Sequence, residues 1–205
     1  MELIIINLTP IDSSFFERDT LLLAKQLLGK LIVHEYADKT LVARIVETEA
    51  YLGELDKAAH SYKNLNTNRT KIMYSSPGSL YCYQMHTHVL VNVVAGPIST
   101  PHGILIRALE PLHGIAVMKL NRPHIKKETD LTNGPGKLTK ALNITMNYYG
   151  HKWYEKPLYI SDAPTIDSEE IDIGPRVGIA NTGEAAHYPW RFSIKDNPFV
   201  SPYRK

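Results

Sequence analysis

Cysteine is almost absent from this chain of 205 residues, in which Cys82 is the single example. One thiol cannot form an intrachain disulfide, which is typical of proteins from a reducing compartment such as the cytoplasm. The paired cysteines of a zinc site are excluded as well, and no H-E-x-x-H motif is present. We therefore expect no metal and no other cofactor, and we expect Cys82 to be a small buried hydrophobe.

Long apolar runs and a strong charge excess are also missing. No stretch approaches the ~20 apolar residues of a membrane-spanning helix. The amino-terminal run MELIIINLTP lacks the basic start and the A-x-A-like cleavage site of a signal peptide. These absences predict a cytoplasmic protein with no membrane partner. With 23 Lys and Arg against 21 Asp and Glu, the composition neither requires nor excludes a polyanionic partner.

What the chain does contain is a series of short strand patterns in a sequence that is 43% hydrophobic. Strands are predicted, in chain order, at LIVHEY, LVARIVETEA, LYCYQM, HVLVNVVA and GILIRALEP. Helices are predicted after Asp19 and after the glycine turn in NGPG. Because no linker or repeat divides the chain, we predict a single α+β domain over residues 1–205. It would have a curved, mostly antiparallel sheet and surrounding helices.

The second of these strands ends in two glutamates. Side chains alternate along a strand, so the odd-numbered residues from Leu41 to Tyr51 would share one face, with Glu47 and Glu49 at its acidic end. Either the strand emerges into water, or the carboxylates stand in a cleft where one acts as a base. Residues two apart on a strand are separated by roughly 6.5–7 Å. That distance lies within the ~6.5–9.5 Å range of carboxylates that hold a water for inverting glycoside hydrolysis.

Aromatic side chains lie near these glutamates in the sequence. Tyr51 and His60 follow them closely, and Tyr81 and Tyr83 would share one face of the LYCYQM strand. Rings above and below a flat pocket are what a base-binding site requires. Tyrosines are also common packing residues in sheets, so this pattern alone leaves both interpretations open.

Eight segments occur in this order along the chain: RIVETEAYLG, AAHS, PGSLYCY, LVNVV, LIRALEP, NGPGKLTKAL, RVGI and WRFSIKDNPFVS. In content and order they resemble the alkyladenine (3-methyladenine) DNA glycosylase family, and the resemblance extends from about Leu21 to Ser201. The resemblance implies a monofunctional DNA glycosylase that flips alkylated or deaminated purines out of double-stranded DNA and starts base excision repair. Its substrates would be of the 3-methyladenine, 7-methylguanine, hypoxanthine and ethenoadenine class, and it would act as a monomer.

The resemblance also implies catalytic roles. Glu49 matches the family's general base, which activates the water that hydrolyses the N-glycosidic bond. Glu47 matches the glutamate before it, which we expect to support the site. Arg107 matches the arginine of LIRALEP and is expected near the water and the phosphate of the abasic sugar.

Four further residues inherit roles at the extruded base. Tyr51, His60 and Tyr83 would enclose it, and Tyr81 would stand beside that wall with no separate role. Asn92 would crowd the exocyclic amino group of normal guanine and so exclude it.

The departure from the family pattern lies between Tyr83 and Asn92. Relatives carry a tyrosine there that fills the gap left by the flipped nucleotide, whereas this chain reads YQMHTHVLVN. His86 is nearest to the aligned position, and Met85 is the more usual apolar wedge type. If the strand continues, the two point to opposite sides. We favour His86 and expect Met85 to be a packing residue.

The GPGK turn is too short for a P-loop, but a glycine turn that opens a helix can bind a DNA phosphate, with charge supplied by Lys137 and Lys140. Two other functions remain open from the sequence. One is a metal-assisted hydrolase with Glu47, Glu49, His60 and a further histidine as ligands. The other is a damage-binding module that has lost turnover through the altered wedge region.

Overall fold

The computed structural model describes residues 8–36 and 38–202. Eight strands lie in this part of the chain: β1 (Leu31–Tyr36), β2 (Lys39–Tyr51), β3 (Leu80–Met85), β4 (His88–Ala95), β5 (His102–His113), β6 (Leu158–Ser161), β7 (Ile171–Gly174) and β8 (Arg191–Ile194). The α-helices described are α1 (Thr20–Gln26), α2 (Ile115–Asn121) and α3 (Pro135–Ala141). Short 3-10 helices lie in the connections, at Ser13–Phe16, Gly53–Leu55, Tyr62–Asn64, Lys71–Tyr74, Glu128–Leu131, Met146–Tyr148, Ser168–Glu170 and Ala180–His187.

The strands form one sheet in the order β3-β4-β5-β2-β1-β6, and all of their described pairings are antiparallel. β5 runs along one edge of the long strand β2. The other edge pairs first with β1, over Lys39 to Arg44, and then with β8, over Glu47 to Glu49. The predicted α+β class and the mostly antiparallel sheet are confirmed, and β8 brings the carboxyl-terminal segment to the two glutamates.

The helices cover one face of this sheet. The Asp19 carboxylate accepts hydrogen bonds from the Leu21 and Leu22 amides, so the predicted cap begins α1. Leu23 of α1 and Leu138 of α3 belong to one hydrophobic core with the inward side chains of the strands. This packing holds the sheet in one conformation. The backbone therefore sets the positions of the side chains on the opposite face.

A β-bulge in β2 decides which face carries the glutamates. Ile45 and Ala50 both lie in the helix-covered core, although residues five apart on an unbroken strand point to opposite faces. The pairing with β5 shifts between Ile45 and Glu47, which leaves Val46 without a partner. An extra residue of this kind exchanges the faces of every side chain that follows it.

The prediction that odd-numbered residues from Leu41 to Tyr51 share one face is therefore wrong. Beyond the bulge Thr48 points to the core side, where its hydroxyl donates a 2.8 Å hydrogen bond to the carbonyl of Ala24 in α1. Glu47 and Glu49 point away from that core. The bulge explains how a buried apolar strand can present carboxylates at its end without placing them among leucines.

A second irregularity lies opposite, in β5. Ile106 pairs with Thr48 and Ala108 pairs with Glu47, so Arg107 between them has no cross-strand partner. The two bulges are adjacent, and they bring the Arg107 side chain to the two carboxylates.

β3 and β4 form a tight hairpin. Met85 pairs with His88, and the two residues between them form the turn, with His86 in the left-handed region at φ 53°. α3 packs closely beneath this hairpin, since a Cβ on Gly136 would come within 2.7 Å of the His88 side chain. Across residues 8–36 and 38–202, no helix is both long and apolar enough to cross a membrane.

Candidate active site

Glu49 is completely buried as a residue, yet it lines a cavity on the face of the sheet away from the helices. Its Oε1 accepts a 2.7 Å hydrogen bond from the Val177 amide, and its Oε2 accepts one of 2.9 Å from the Tyr51 hydroxyl. Burial raises the pKa of this carboxyl, while Arg107 and the two donors act in the opposite direction. A fixed carboxylate with a raised pKa has the properties of a general base.

Glu47 is held differently and does not line the cavity. Its Oε1 accepts hydrogen bonds of 3.0 Å from Arg191 and from the Ser201 hydroxyl. Its Oε2 accepts one of 2.9 Å from the Ser201 amide. The carboxylate therefore ties the carboxyl-terminal segment to β2, which supports the predicted difference between the two glutamates.

Arg107 stands between the two carboxylates. Its Nε lies 3.3 Å from Glu47 Oε1 and 3.5 Å from Glu49 Oε1, and it donates to the Ser201 hydroxyl at 3.1 Å. Its side chain is mostly buried and lines the same cavity as Glu49. Its positive charge offsets the free-energy cost of burying the two neighbouring carboxylates. Arg107 and Glu49 together make one end of the cavity polar.

The cavity has a volume of about 310 Å³, at the small end of the range for ligand pockets. The structure brings together there all six residues that the sequence assigned to catalysis and base binding: Glu49, Tyr51, His60, Tyr83, Asn92 and Arg107. Apolar side chains such as Met73 and Leu90 complete the lining. Aromatic walls, an apolar lining and one polar end suit a flat heterocycle whose reacting bond faces the carboxylate.

The aromatic walls are packed against one another. The rings of His60 and Tyr83 meet edge to face with centroids 4.5 Å apart. Tyr81 and Tyr83 lie on the same strand face, as predicted, with centroids 5.5 Å apart. Burial is the main cause that raises the pKa of each tyrosine to about 12, so both hydroxyls stay protonated at neutral pH.

His60 is held as a neutral imidazole. Its Nδ1 lies 2.8 Å from the Tyr81 hydroxyl, and the Arg69 guanidinium lies 3.0 Å from its Nε2 and 3.3 Å from its Nδ1. Since a guanidinium can only donate, its contact with the ring favours the neutral imidazole, which offers an acceptor nitrogen. Burial, and then the charge of Arg69, lower the pKa of His60 to about 4. The ring is therefore a neutral wall at physiological pH.

A buried ion pair lies behind Tyr51. Arg176 and Asp56 are joined by two contacts, of 2.5 and 2.9 Å, and both side chains are fully buried. The guanidinium stacks between the rings of Tyr51, at 4.6 Å, and Trp190, at 5.0 Å. It also donates to the carbonyl of Ala50 in β2 at 2.9 Å. These contacts anchor the loop in which the next residue, Val177, donates its amide to the Glu49 carboxylate.

Asn92 lies on β4 and is only 5% exposed. Its side-chain nitrogen donates to the Tyr81 carbonyl at 3.1 Å, and its own carbonyl accepts from the Trp153 indole at 3.1 Å. The side chain is therefore fixed in the cavity wall, which is what the predicted crowding of a guanine amino group requires.

The wedge region differs from its prediction in two respects. The strand ends at Met85, and His86 begins the turn, so the two do not alternate on a continuing strand. Met85 is 48% exposed and lines the cavity, so it is not the packing residue that we expected. His86 is exposed at the tip of the hairpin. Met85 therefore borders the cavity, and His86 follows it at the exposed hairpin tip.

The two lysines predicted at a DNA phosphate lie on α3. Lys137 donates to the Asn133 side-chain oxygen at 2.6 Å and lies 3.5 Å from the Asp130 carboxylate, whereas Lys140 is exposed. Pro135 at the start of this helix lines the cavity. Neither lysine reaches the cavity itself, and Cys82 is buried in the core, as expected.

The metal-site alternative finds no ligand set in the described ranges 8–36 and 38–202. No group of three or more His, Cys, Asp or Glu side chains is placed there to hold a metal ion. Glu47 and Glu49 are instead bonded to arginine, serine, tyrosine and main-chain donors.

Several contributors to the site were not identified from the sequence. The Val177 amide is a main-chain group, which no side-chain pattern can reveal. Arg176 and Asp56 are 120 positions apart and carry no shared motif. Arg69 lies in a polar stretch that reads as loop. Among the segments that carry the family resemblance, RVGI contains Arg176 and Val177, but the resemblance assigned no function to either residue.

Comparison with known families agrees with this geometry. The methylpurine-DNA glycosylase (MPG) family matches residues 14–198, which is most of the chain. The matched range includes every side chain that lines the cavity.

Three bacterial relatives match almost from end to end, and each is named "Putative 3-methyladenine DNA glycosylase". The Bacillus licheniformis protein is 53% identical over 192 residues, which cover 94% of this chain and 96% of that protein. The Bacillus subtilis protein is 50% identical with the same coverage. The Listeria monocytogenes protein is 44% identical over 196 residues, which cover 95% of this chain and 94% of that protein. The chain therefore belongs to the methylpurine-DNA glycosylase family, whose members are DNA repair hydrolases.

Proposed function

We propose that this protein is a monofunctional DNA glycosylase that removes alkylated or deaminated purines, with Glu49 as the base that activates water. The observation that carries the proposal is the position of Glu49. It is a buried carboxylate, held by the Val177 amide and the Tyr51 hydroxyl, at the polar end of an aromatic cavity. Each carboxylate oxygen accepts one hydrogen bond from these groups and keeps acceptor capacity for a water.

The chemistry follows from that position. The bond between the anomeric carbon and the purine nitrogen breaks, and its electron pair leaves with the base. The sugar becomes oxocarbenium-like, a water attacks its anomeric carbon, and Glu49 accepts the proton of that water. The adjacent carboxylate also stabilises the cationic sugar, and Arg107 helps to orient the water. General base catalysis of this kind contributes typically ~10²–10⁴-fold in rate.

Water rather than lysine is the proposed nucleophile. Among the described residues that line the cavity, none is a lysine. A Schiff-base intermediate, which would need a primary amine at the sugar, is therefore not part of the proposal. The product is a free purine and an intact abasic strand.

The lesion class is proposed from the walls of the cavity. A 3- or 7-alkylated purine is cationic, leaves readily, and gains ~0.5–2 kcal/mol from stacking on aromatic faces such as Tyr51 and Tyr83. Hypoxanthine and ethenoadenine are neutral and flat, and hypoxanthine lacks the amino group that Asn92 would crowd. His60, with its pKa near 4, is not the acid that protonates a neutral leaving base.

The partner would be double-stranded DNA that contains damaged purines. In the proposal the hairpin tip, with His86 and Met85, enters the space of the flipped nucleotide, and Lys137 and Lys140 approach the phosphates. We expect the protein to act as a monomer, in the cytoplasm and close to the nucleoid if the source is bacterial.

One assay tests this function. Purified protein is incubated with duplexes that carry hypoxanthine, ethenoadenine or 3- or 7-methylpurines, and free base is measured by chromatography, with and without chelator. We expect release of free base from at least one duplex, unaffected by chelator, and no borohydride-trapped complex. Tight lesion binding without base release would make the protein a damage-binding module, and chelator-sensitive release would indicate a metal-assisted hydrolase.

A further inference from the structure

Two guanidinium groups stand behind the aromatic walls of the cavity. Arg176 lies 4.6 Å from the centre of the Tyr51 ring, and Arg69 lies 4.7 Å from the centre of the Tyr83 ring. Neither arginine is among the described residues that line the cavity. Arg69 instead lines a neighbouring cleft, and Tyr83 is the wall that the cleft and the cavity share. Each guanidinium therefore touches a wall ring from outside the cavity.

The two arginines differ in charge balance. Arg176 is neutralised by the buried Asp56 carboxylate, at 2.5 and 2.9 Å. Arg69 is engaged by rings: its guanidinium stacks on Tyr83 and lies 3.0 Å from Nε2 of His60. Within residues 8–36 and 38–202 no ion pair includes Arg69. Its positive charge is thus held against two walls of the cavity with no carboxylate of the described chain to balance it.

The main chain around Arg69 is fixed. The Tyr149 hydroxyl lies 3.1 Å from the carbonyls of Asn68 and of Arg69. Thr70 is buried, and its hydroxyl donates a 2.8 Å hydrogen bond to the Leu65 carbonyl. Arg69 itself is exposed. A substitution of this side chain should therefore change the local charge without unfolding the loop.

The charge of Arg69 is felt by the rings that it faces. Burial is the largest cause of the pKa shifts of His60, Tyr81 and Tyr83, and the charge of Arg69 acts on all three groups, in the direction that lowers each pKa. An added positive charge in the cavity would be subject to the same field. Its free energy would be raised, as is that of protonated His60.

This field acts differently on cationic and neutral bases. A cation is attracted to the face of an aromatic ring, but Arg69 already occupies the side of Tyr83 that faces the cleft. A cationic purine across the ring would lie roughly 8 Å from the guanidinium. At an effective dielectric constant of about 20, the repulsion at this distance is of the same order as a cation–π attraction. It opposes the attraction of the cationic base to Glu49, whereas a neutral base experiences neither effect.

We propose that Arg69 is a specificity-determining residue that acts from outside the cavity, through Tyr83 and His60, to disfavour cationic lesion bases relative to neutral ones. The inference rests on the proposed function in taking damaged purines as the occupants of the cavity. It ranks the members of that class. Hypoxanthine and ethenoadenine keep their full stacking on the walls, and a 3- or 7-alkylated purine loses part of its attraction to them.

The test compares the affinities for one cationic and one neutral lesion. Two duplexes carry 7-methylguanine or hypoxanthine on a 2′-fluoro sugar, because the fluorine destabilises the oxocarbenium-like sugar and so prevents base release during the measurement. Fluorescence anisotropy gives the Kd of each duplex. In Arg69→Gln we expect the affinity for 7-methylguanine relative to hypoxanthine to rise by about 3-fold or more over wild type. A phosphate contact of Arg69 would weaken both duplexes alike and leave this ratio unchanged.

Two variants are matched controls. Arg69→Lys keeps the positive charge without the planar guanidinium, and its affinity ratio should stay within about 2-fold of wild type. Lys71→Gln removes an exposed charge two residues away on the same loop, and its ratio should also stay within about 2-fold. An NMR titration of the free protein gives an independent readout. The pKa of His60 should rise in Arg69→Gln and stay unchanged in Lys71→Gln, a difference that a purely structural role of Arg69 would not produce.

Two results would overturn the proposal. One is an affinity ratio in Arg69→Gln that equals the wild-type ratio. The other is an equal rise of the ratio in Arg69→Lys or Lys71→Gln, since the effect would then not come from the charge beside Tyr83. Because the duplexes retain their bases, the readout does not depend on turnover. The proposal can therefore fail while base release succeeds, and it can succeed where base release fails.

Discussion

The main-chain amide of Val177 donates a 2.7 Å hydrogen bond to Oε1 of Glu49, across 128 positions of the chain. Tyr51 holds the other oxygen of the same carboxylate at 2.9 Å. The orientation of the Glu49 carboxylate therefore depends on a loop far away in sequence. That loop is fixed by Arg176, the residue before Val177, through its pair with Asp56.

The first prediction concerns this buried pair. Asp56→Asn leaves the Arg176 guanidinium buried without its counter-charge, and breaking such pairs costs about 3–5 kcal/mol in the free energy of unfolding. The rate of base release should fall as well, since the Val177 amide moves with Arg176. Urea denaturation and single-turnover kinetics measure the two effects.

Glu54→Gln is the matched control, because this exposed carboxylate lies two residues away on the same segment. We expect its free energy of unfolding to stay within about 0.5 kcal/mol of wild type. A stability loss below about 1 kcal/mol in Asp56→Asn would show that the pair does not anchor the loop.

The second prediction concerns pH. Glu49 must be ionised to accept a proton, and burial raises its pKa above the ordinary value of 4.5. The single-turnover rate should therefore fall as the pH falls through that raised pKa. The pKa of His60 is about 4, so His60 cannot cause a fall in rate that occurs well above pH 4. A rate that stays flat down to pH 4.5 would argue against Glu49 as the base.

The same shift has a consequence for stability. Since the folded-state pKa of Glu49 is above the unfolded one, the folded protein binds this proton more tightly, and ionisation costs stability as the pH rises. Glu49→Gln removes that cost. The stability of this variant relative to wild type should thus increase from pH 4.5 upwards, which denaturation at several pH values would detect.

The third prediction concerns selectivity. If Asn92 crowds the guanine amino group, Asn92→Ser should raise the release of undamaged guanine and lower the ratio of hypoxanthine to guanine excision. Competition between the two duplexes gives this ratio directly. Tyr81→Phe is a useful comparison, because it removes the hydroxyl that contacts His60 without opening the wall. An unchanged ratio in Asn92→Ser would show that Asn92 does not exclude guanine.

The fourth prediction concerns the hairpin tip. His86→Ala should weaken lesion-duplex binding and slow excision from double-stranded DNA much more than from single-stranded DNA, which has no gap to fill. Met85 lines the cavity and is half exposed, so Met85→Ala should affect both substrates alike. Its cost in thermal stability should be small, because little packing is lost. The reverse pattern would make Met85 the wedge.

Strands and helix caps were predictable from the sequence because each depends on local chemistry. Leu80 to Met85 alternates, and Asp19 precedes an apolar run, so pattern and structure agree. The bulge at Val46 was not predictable. Nothing in RIVETEA distinguishes an unpaired valine from a paired one, since the shift arises from pairing with β5. The face of the glutamates was therefore assigned wrongly, whereas the predicted placement of Glu49 in an aromatic cavity agrees with the structure.

The candidate site divides in a similar way. Its side chains, such as Tyr51 and Asn92, came from the resemblance and converge in one cavity. The groups that hold these side chains in place could not be identified from the sequence. The Val177 amide and the Arg176–Asp56 pair are long-range contacts that exist only in the folded chain. The exposure of Met85 likewise depends on where the hairpin turns.

The central claim is that Glu49, and not Glu47, is the base. The most direct measurement is the single-turnover rate of hypoxanthine or ethenoadenine release by Glu49→Gln and Glu47→Gln, with lesion binding and melting temperature measured on the same samples. We predict that Glu49→Gln folds, binds the lesion and loses about 10²-fold or more in rate. Glu47→Gln should act mainly through stability, because it disturbs the contacts to Ser201 and Arg191. Excision by Glu49→Gln within a few-fold of wild type would contradict the account.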